Sequence, residues 1–386
     1  MTDPFADIRP YRDEEVAAVL SALLDNTEFL DALASYRLGK LGSVAAALSR
    51  PVVRTLLRRE VRDVTDIASM QQVIKGYMDR MIERSTAGFS VSGVEHLDPQ
   101  QAYLFISNHR DIAMDPAFTN YALHQSGRGT VRIAIGDNLL TKPWVSDLMR
   151  LNKSFIVKRS VNGPRELLAA SKQLSNYIRH SITAEHSHVW LAQREGRAKD
   201  GRDRTEPVII KMLSMSRDKR TQTFAEHMRE LHIVPVAIAY ELDPCDALKA
   251  NELCQLAATG TYEKGAQEDV ASIARGISGN KGRVHVAFGS PLVQDFESAD
   301  EVAAEIDRQI ISAYRLHPTN LFAYEELSGT ADLPAGLTVA DGACSRDEFL
   351  ARIAAMPEPH RPFALKMYAN ALISKLAAIQ SAQTLA

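Results

Sequence analysis

The sequence predicts an α/β fold in which a sheet is flanked by helices, with a helical region before the sheet and further helices after it. Between residues 88 and 292, short apolar runs alternate with stretches of helical spacing, as in chains whose strands and helices follow one another. Residues 11–85 hold little Gly or Pro, and their apolar residues recur at helical spacing. The predicted regions are an N-terminal helical region (1–87), an α/β domain (88–297) and a C-terminal helical extension (298–386).

The composition narrows the class of protein. The 386 residues are 45% hydrophobic and 24% charged, which is typical of a globular protein with a sizeable core. A formal net charge of -3 disfavours general nucleic-acid binding. The three cysteines form no CxxC pair and suit a reducing cytoplasm. The N-terminus has no secretory signal pattern, and no apolar run reaches the ~18 residues of a spanning helix, so any membrane contact is expected to be peripheral.

Seven apolar runs in the α/β domain predict strands, because they are short and bounded by turn residues or polar positions. They cover residues 89–94, 104–106, 131–135, 155–157, 189–192, 233–240 and 284–288. Helical spacing predicts helices over residues 116–123, 165–182, 298–315 and 345–385. The polar segment 241–280 is predicted to be an insertion over the sheet edge, and the stretch between 315 and 345 is predicted to be a loop.

A strongly basic helix is predicted within the N-terminal region. From Tyr36 to Arg62 there are seven basic residues and one acidic residue, Glu60. One stripe of the helix is apolar and contains Val53, Leu57, Val61 and Val64. The other stripe is basic and contains Arg50, Arg54, Arg58 and Arg62. This helix is expected either to pack on the core with a solvated basic face, or to lie on anionic lipid or an acidic carrier protein.

The first candidate site follows the predicted strand 104–106. The polar corner after this strand carries Asn108, His109, Asp111 and Asp115. An imidazole that a carboxylate holds in one tautomer is a good general base near neutral pH, so His109 is a candidate base. A structural corner is the alternative, because Asp115 followed by Pro116 is also typical of an N-cap and the first residue of a helix.

The second candidate site follows the predicted strand 155–157, where Lys158 and Arg159 place two cations at a sheet edge. The planar guanidinium of Arg matches a phosphate bidentately, and Lys adds a point charge. These residues are therefore candidate phosphate ligands, and the alternative is a basic turn on the surface.

The third candidate site is a cation-rich loop after the predicted strand 189–192. It contains Glu195, Gly196, Arg197 and Lys199. Gly196 permits a positive φ, so the loop can hold a phosphate while Glu195 orients the cations or contacts a hydroxyl. The alternative is an ordinary exposed loop. No metal site is predicted, because the nearby Glu185-His186-Ser187-His188 alternates along a strand and has no third ligand beside it.

Together these stretches resemble the motifs of the glycerolipid acyltransferases, the glycerol-3-phosphate and 1-acylglycerol-3-phosphate acyltransferases. Asn108-His109 resembles the start of the catalytic domain in that family, and Lys158-Arg159-Ser160 resembles its second motif. Glu195-Gly196-Arg197 resembles its glutamate-glycine-arginine/threonine motif, and Val234-Pro235-Val236 resembles its fourth, proline-containing motif. Four motifs in this order are specific, and the similarity covers about residues 88–292.

The sequence departs from the family pattern in the spacing between His and Asp. The family has four residues between them, so its Asp position is Met114 here, and Asp115 comes one residue later. Either the loop holds an extra residue and Asp115 still reaches His109, or Asp111 has taken this role. The apolar pair before Asp115 and the helical pattern after it favour Asp115.

The resemblance implies a mixed sheet flanked by helices and a catalytic domain over residues 88–297. It also implies transfer of a fatty acyl group from acyl-CoA or acyl carrier protein to a hydroxyl of 1-acylglycerol-3-phosphate or glycerol-3-phosphate, with no cofactor or metal. His109 would be the base, with Asp115 or Asp111 as its partner. The residues implied in binding the acceptor phosphate are Lys158, Arg159, Glu195, Gly196, Arg197 and Lys199. The expected location is cytoplasmic, on the inner face of the cell membrane.

Three other functions are compatible with the sequence. The acceptor could be another lyso-lipid, such as a lyso-ornithine lipid. The chain could be a non-catalytic lipid- or carrier-binding protein on the same scaffold, which only the irregular spacing between His and Asp favours. A thioester hydrolase is the third alternative, and the cluster of cations disfavours it because water needs no phosphate clamp.

Overall fold

The computed structural model describes residues 3–38, 46–265, 267–330, 332–334 and 336–385. The chain forms two compact units, and each unit combines two separate stretches of sequence. The first unit contains Met1–Asp79 and Arg132–Tyr177. The second unit contains Arg80–Val131 and Ile178–Ala386.

Seven strands and fifteen α-helices lie in the described residues. The strands are β1 (Gly88–Ser92), β2 (Leu104–Ser107), β3 (Arg132–Gly136), β4 (Ser154–Val157), β5 (Val189–Ala192), β6 (Ile233–Tyr240) and β7 (Arg283–Phe288). The helices up to β5 are α1 (Asp13–Asp25), α2 (Thr27–Leu38), α3 (Ala46–Glu60), α4 (Ile67–Ser85), α5 (Met114–Gln125), α6 (Pro143–Leu151) and α7 (Pro164–Thr183). The later helices are α8 (Pro207–Leu213), α9 (Phe224–Glu230), α10 (Asp246–Thr259), α11 (Glu268–Ser278), α12 (Ala299–Ala313), α13 (Pro318–Ser328), α14 (Arg346–Ala354) and α15 (Arg361–Leu385). None of these helices is long and apolar enough to cross a membrane.

The second unit is built on a mixed sheet with the strand order β1-β7-β6-β2-β5. Neighbouring strands run parallel except for β6 and β7, which are antiparallel. Every side chain of β2 and β6 is buried, as expected for strands that helices cover on both faces. The predicted fold class, a mixed sheet flanked by helices, is confirmed.

The first unit combines a helical cluster with the parallel pair β3 and β4. The apolar stripe of α3 faces its core, where Val53 and Leu57 are buried. Two members of the basic stripe form ion pairs within the unit, Arg50 with Asp31 and Arg54 with Asp25. The core-packing prediction for α3 is therefore confirmed, and part of the basic segment, residues 39–45, lies outside the described residues.

One prediction about the second unit is wrong. Segment 241–280, which was predicted to be an insertion over the sheet edge, contains α10 and α11. The stretch between 315 and 345 is not wholly a loop, because it contains α13, which begins at Pro318 and ends before Gly329 in the left-handed conformation. Pro in the first turn and Gly just beyond the last turn mark the two ends of this helix. The sequence was interpreted as a loop because both residue types are also common in loops.

Candidate active site

The candidate site lies at the carboxyl end of β2, where Asn108 and His109 follow the strand. The neighbours of β2 are β5 and β6, and both run parallel to it. The third motif follows β5, and the fourth motif forms part of β6 beside β2. Because the carboxyl ends of parallel strands meet at one edge of a sheet, the fold brings three of the four motifs together.

His109 and Asp115 are in direct contact. His109 Nδ1 lies 2.9 Å from Asp115 Oδ2, and the Asp115 side chain is fully buried. The same oxygen accepts the backbone N–H groups of Arg110 at 2.6 Å and Asp111 at 2.9 Å. These donors offset the desolvation of the buried carboxylate. The extra residue therefore does not separate Asp115 from His109.

Asp111 has a different role from the one that the sequence left open. Its Oδ1 accepts the N–H groups of Ala113 at 3.0 Å and Met114 at 2.9 Å, so Asp111, rather than Asp115, holds the start of α5. A Cβ atom at Gly276 in α11 would overlap the Asp111 carboxyl, so this site requires glycine. Burial, together with the negative charge of Asp115, raises the pKa of Asp111.

Tyr240 is a site residue that the sequence analysis missed. It lies at the end of β6, and its hydroxyl donates to Asp115 Oδ1 at 2.7 Å. Burial, followed by the charges of Asp115 and Asp111, raises the pKa of Tyr240 well above its ordinary value. The phenol therefore remains a donor at physiological pH. A tyrosine that ends an apolar strand resembles a core residue, and no local pattern links it to Asp115.

A buried polar cluster holds the backbone on either side of His109. Asn108 accepts from the N–H of Ile238 at 2.8 Å and donates to its carbonyl at 3.0 Å, which ties the corner to β6. Arg110 donates to Asp203 at 2.7 Å and to the carbonyl of Gly201 at 2.9 Å. The corner that presents the imidazole is therefore fixed to two neighbouring segments.

Lys249 holds the same corner from α10. Its buried ammonium donates to the carbonyl of Arg110 at 2.6 Å and pairs with Asp243. The interaction with Lys249 lowers the pKa of Asp243, although burial opposes this shift. Neither Lys249 nor Asp243 was predicted, because they appear in the sequence only as two charges in a polar segment.

The third motif lies directly against the His109 corner. Gly196 has a φ of +70°, as its predicted role requires, and the N–H of Ala198 donates to the carbonyl of His109 at 2.7 Å. Arg197 is buried and donates to Ser272 at 3.5 Å, a long hydrogen bond that leaves most of its donor capacity uncommitted to carboxylates in the described residues. Glu195 is exposed, and Lys199 forms an ion pair with Glu252.

The second motif lies in the first unit, where it forms an ordered turn. Lys158 pairs with Asp7 and also donates to Gln173 at 3.2 Å. The N–H groups of Arg159 and Ser160 each donate to the Asp137 carboxylate at 3.1 Å, and the Arg159 side chain is exposed. Asp7 thus balances the charge of Lys158, and Asp137 fixes the backbone of the motif.

Comparison with known proteins identifies the domain. Residues 88–239 match a family model described as Acyltransferase. No curated protein sequence matches significantly. Among solved structures, the chain resembles the 1-acyl-sn-glycerophosphate (LPA) acyltransferase PlsC from Thermotoga maritima at 13% identity and a TM-score of 0.37, over 77% of this chain and 95% of that one. A structural likeness with this TM-score and identity supports no inference about the function of this chain. The family model agrees with the four motifs, and residues 88–239 therefore form a domain of the acyltransferase family, as the resemblance to the glycerolipid enzymes predicted.

Proposed function

We propose that this acyltransferase moves a fatty acyl group from acyl-CoA or acyl carrier protein to a hydroxyl of 1-acylglycerol-3-phosphate or glycerol-3-phosphate. The observation that carries the proposal is the contact between His109 and Asp115 at 2.9 Å, with Asp115 buried and the His109 side chain 13% exposed. Asp115 thus orients the imidazole through Nδ1, while part of the His109 side chain is open to a substrate.

In the proposed mechanism, His109 Nε2 removes the proton of the acceptor hydroxyl. Nε2 makes no hydrogen bond to the described residues, whereas Nδ1 is held by Asp115. The resulting oxygen nucleophile attacks the thioester carbonyl, a C–O bond forms, the C–S bond breaks, and the thiolate takes the proton from His109. Asp115 stabilises the imidazolium between these steps. A base positioned in this way typically contributes ~10²–10⁴-fold to the rate.

We assign the main phosphate contact to Arg197. Its neighbour Ala198 is hydrogen-bonded to His109, and a phosphate near Arg197 would therefore lie close to the proposed base. Glu195 and Gly196 shape the same loop, and Arg159 is a further candidate. Lys158 and Lys199 are weaker candidates, because each would have to leave a carboxylate partner before it could bind phosphate.

The lipid acceptor suggests peripheral attachment at the inner face of the cell membrane. On α3 the side chains of Val52 and Leu56 are 60% and 42% exposed, and Arg59 is also exposed. Exposed apolar side chains beside a cation are typical of helices that lie on anionic lipid. The membrane-surface role of α3 therefore remains compatible with the packing of its other face.

The non-catalytic alternative loses its support, because it depended only on the irregular spacing between His109 and Asp115. A lyso-ornithine lipid is a weaker acceptor candidate than a glycerol phosphate, because an acceptor without phosphate would leave Arg197 without its proposed ligand. A hydrolase is disfavoured for the same reason.

The proposal is tested by thiol release from palmitoyl-CoA with no acceptor, with glycerol-3-phosphate and with 1-acylglycerol-3-phosphate. We expect release that depends on one of the phosphate acceptors. We also expect R197A to raise the KM for that acceptor, with R202A, an exposed arginine of the same loop, as the matched control. Release without acceptor would identify a hydrolase, and no release with either thioester donor in the presence of membranes would contradict the proposal.

A further inference from the structure

A cavity lies beside β1 and β7 in the second unit, and it has a volume of about 610 Å³. Its walls come from β1, β7, the segment after α12, residues 338–341 and α15. None of its lining residues belongs to the four acyltransferase motifs.

The charged side chains around this cavity are mainly cations. Arg283, Arg315 and Lys375 line it together with Asp341, so three formal positive charges face one negative charge. No carboxylate in the described residues forms an ion pair with Arg283, Arg315 or Lys375, whereas many other cations of the chain do have such partners. Lys375 instead donates to the carbonyl of Ser312 at 2.9 Å. The cavity therefore has a formal excess of two positive charges.

Two buried histidines line the inner part of the cavity. His285 is held between the hydroxyls of Ser90 at 2.8 Å and Ser92 at 2.9 Å. His317 is 1% exposed, and its ring interacts with the carbonyl of Ala239. Burial lowers the pKa of His317 to about 4, although the negative charge of Glu241 opposes this shift. The ring is therefore neutral at physiological pH and adds no charge to the cavity.

The walls of the cavity are held in place before any ligand binds. Glu241 accepts the N–H groups of Ala343 at 2.7 Å and Cys344 at 2.8 Å, and also that of Arg283 at 2.7 Å. The N–H of Ala340 donates to the carbonyl of Leu316 at 2.9 Å. Arg315 donates to Ser90 at 3.2 Å, which fixes one guanidinium over β1. A preformed site loses less entropy when it binds a ligand.

The cavity and the His109 site lie on opposite faces of the sheet. Phe89 stacks on Phe118 of α5, and Phe118 also contacts Tyr240, which donates to Asp115. Because side chains alternate along a strand, Ser90 points away from that face. One wall residue approaches the catalytic corner, since the Tyr314 ring lies 5.6 Å from the guanidinium carbon of Arg110.

We propose that this cavity is a second anion site, which binds a phosphomonoester dianion through Arg283 and Arg315. Three cations against one carboxylate among the lining side chains favour an anion in the cavity. Guanidinium groups present paired N–H donors that match phosphate oxygens. The phosphate can belong to free phosphate, to a glycerol phosphate or to the 3′-phosphate of coenzyme A, because all three share this chemistry.

The test is calorimetric titration of the full chain at pH 7.5 with inorganic phosphate, in a buffer without sulfate. We expect R315Q and R283Q/R315Q to weaken phosphate binding at least tenfold. R220Q is the matched control, because Arg220 is also exposed but lies outside the cavity, and it should bind as the wild type does. Both substituted side chains are exposed, so the variants should fold, which circular dichroism verifies.

Further titrations with glycerol-3-phosphate and with coenzyme A identify the source of the phosphate. The physiological ligand is the one whose affinity falls in R283Q/R315Q but not in R220Q. If only the affinity for inorganic phosphate falls, the ligand is free phosphate. Unchanged phosphate affinity in R283Q/R315Q, or no binding of millimolar phosphate by the wild type, would overturn the proposal. Because these are binding measurements, the result does not depend on whether the protein transfers acyl groups.

Discussion

Asp115 illustrates how far single residues can be predicted. The motif in the sequence was sufficient to favour Asp115 as the partner of His109, and the structure places the two side chains 2.9 Å apart despite the extra residue. Tyr240 could not be predicted in the same way, because it lies 125 residues from Asp115 in the sequence. Its hydroxyl donates to Asp115 Oδ1, the carboxylate oxygen that does not contact His109. Contacts of this kind depend on strand register, which a single sequence does not reveal.

Removal of the Tyr240 hydroxyl is expected to slow acyl transfer by about tenfold, because Asp115 loses one of the hydrogen bonds that hold it and then orients His109 less firmly. A tenfold loss corresponds to about 1.4 kcal/mol, close to the roughly 1.5–3 kcal/mol of a hydrogen bond to a charged group. The change should appear in kcat rather than in KM. The raised pKa of Tyr240 means that the wild type keeps this donor as pH rises past 10, the ordinary pKa of tyrosine.

Y103F is the matched control for Y240F. Tyr103 is also buried, and its hydroxyl accepts the N–H of Asp98 at 2.9 Å, away from the His109 corner. Both variants lose a buried hydrogen bond, but only Y240F should lower kcat. Equal kcat values in the two variants would show that Tyr240 has only a structural role.

At the scale of elements, the strands were predictable and several helices were not. The fully buried β2 and β6 appear in the sequence as apolar runs, so their positions were correct to within a residue. Helix α10 was missed because it buries Asp246, Lys249 and Glu252, which makes a buried segment look polar and exposed. A helix whose charges are paired inside the protein has no apolar stripe for sequence patterns to detect.

The packing of α11 on the corner that carries His109 leads to a prediction about stability. In G276A, the new methyl group would overlap the carboxyl of Asp111. Such overpacking typically costs 1–3 kcal/mol, which outweighs the gain of up to ~1 kcal/mol expected when Ala replaces Gly in a helix. Denaturant unfolding should therefore show a lower free energy of unfolding for G276A. G265A, whose Cβ would meet no neighbour, is the control and should unfold as the wild type does.

A G276A variant that is as stable as the wild type, or more stable, would contradict the close contact between α11 and Asp111. That result would also weaken the assignment of Asp111 to the start of α5, since the two depend on the same position of its carboxyl group.

At the scale of the whole molecule, the chain crosses between two compact units. Residues 132–177 belong with the N-terminal helices, and the family domain 88–239 contains this segment together with parts of the second unit. Such a division is not visible in the sequence, because composition and spacing do not change where the chain passes from one unit to the other. The three predicted regions 1–87, 88–297 and 298–386 therefore remain a prediction about how function is divided along the chain. The two compact units describe how the chain packs.

The central claim is that His109 acts as the base of an acyl transfer. The most direct test is acceptor-dependent thiol release by H109A, measured beside H96A, whose histidine is exposed in the same domain. The account predicts that H109A folds normally but loses at least ~10²-fold in turnover, in line with the contribution of a positioned base, while H96A remains active. A folded H109A variant that turns over at the rate of the wild type would contradict the account.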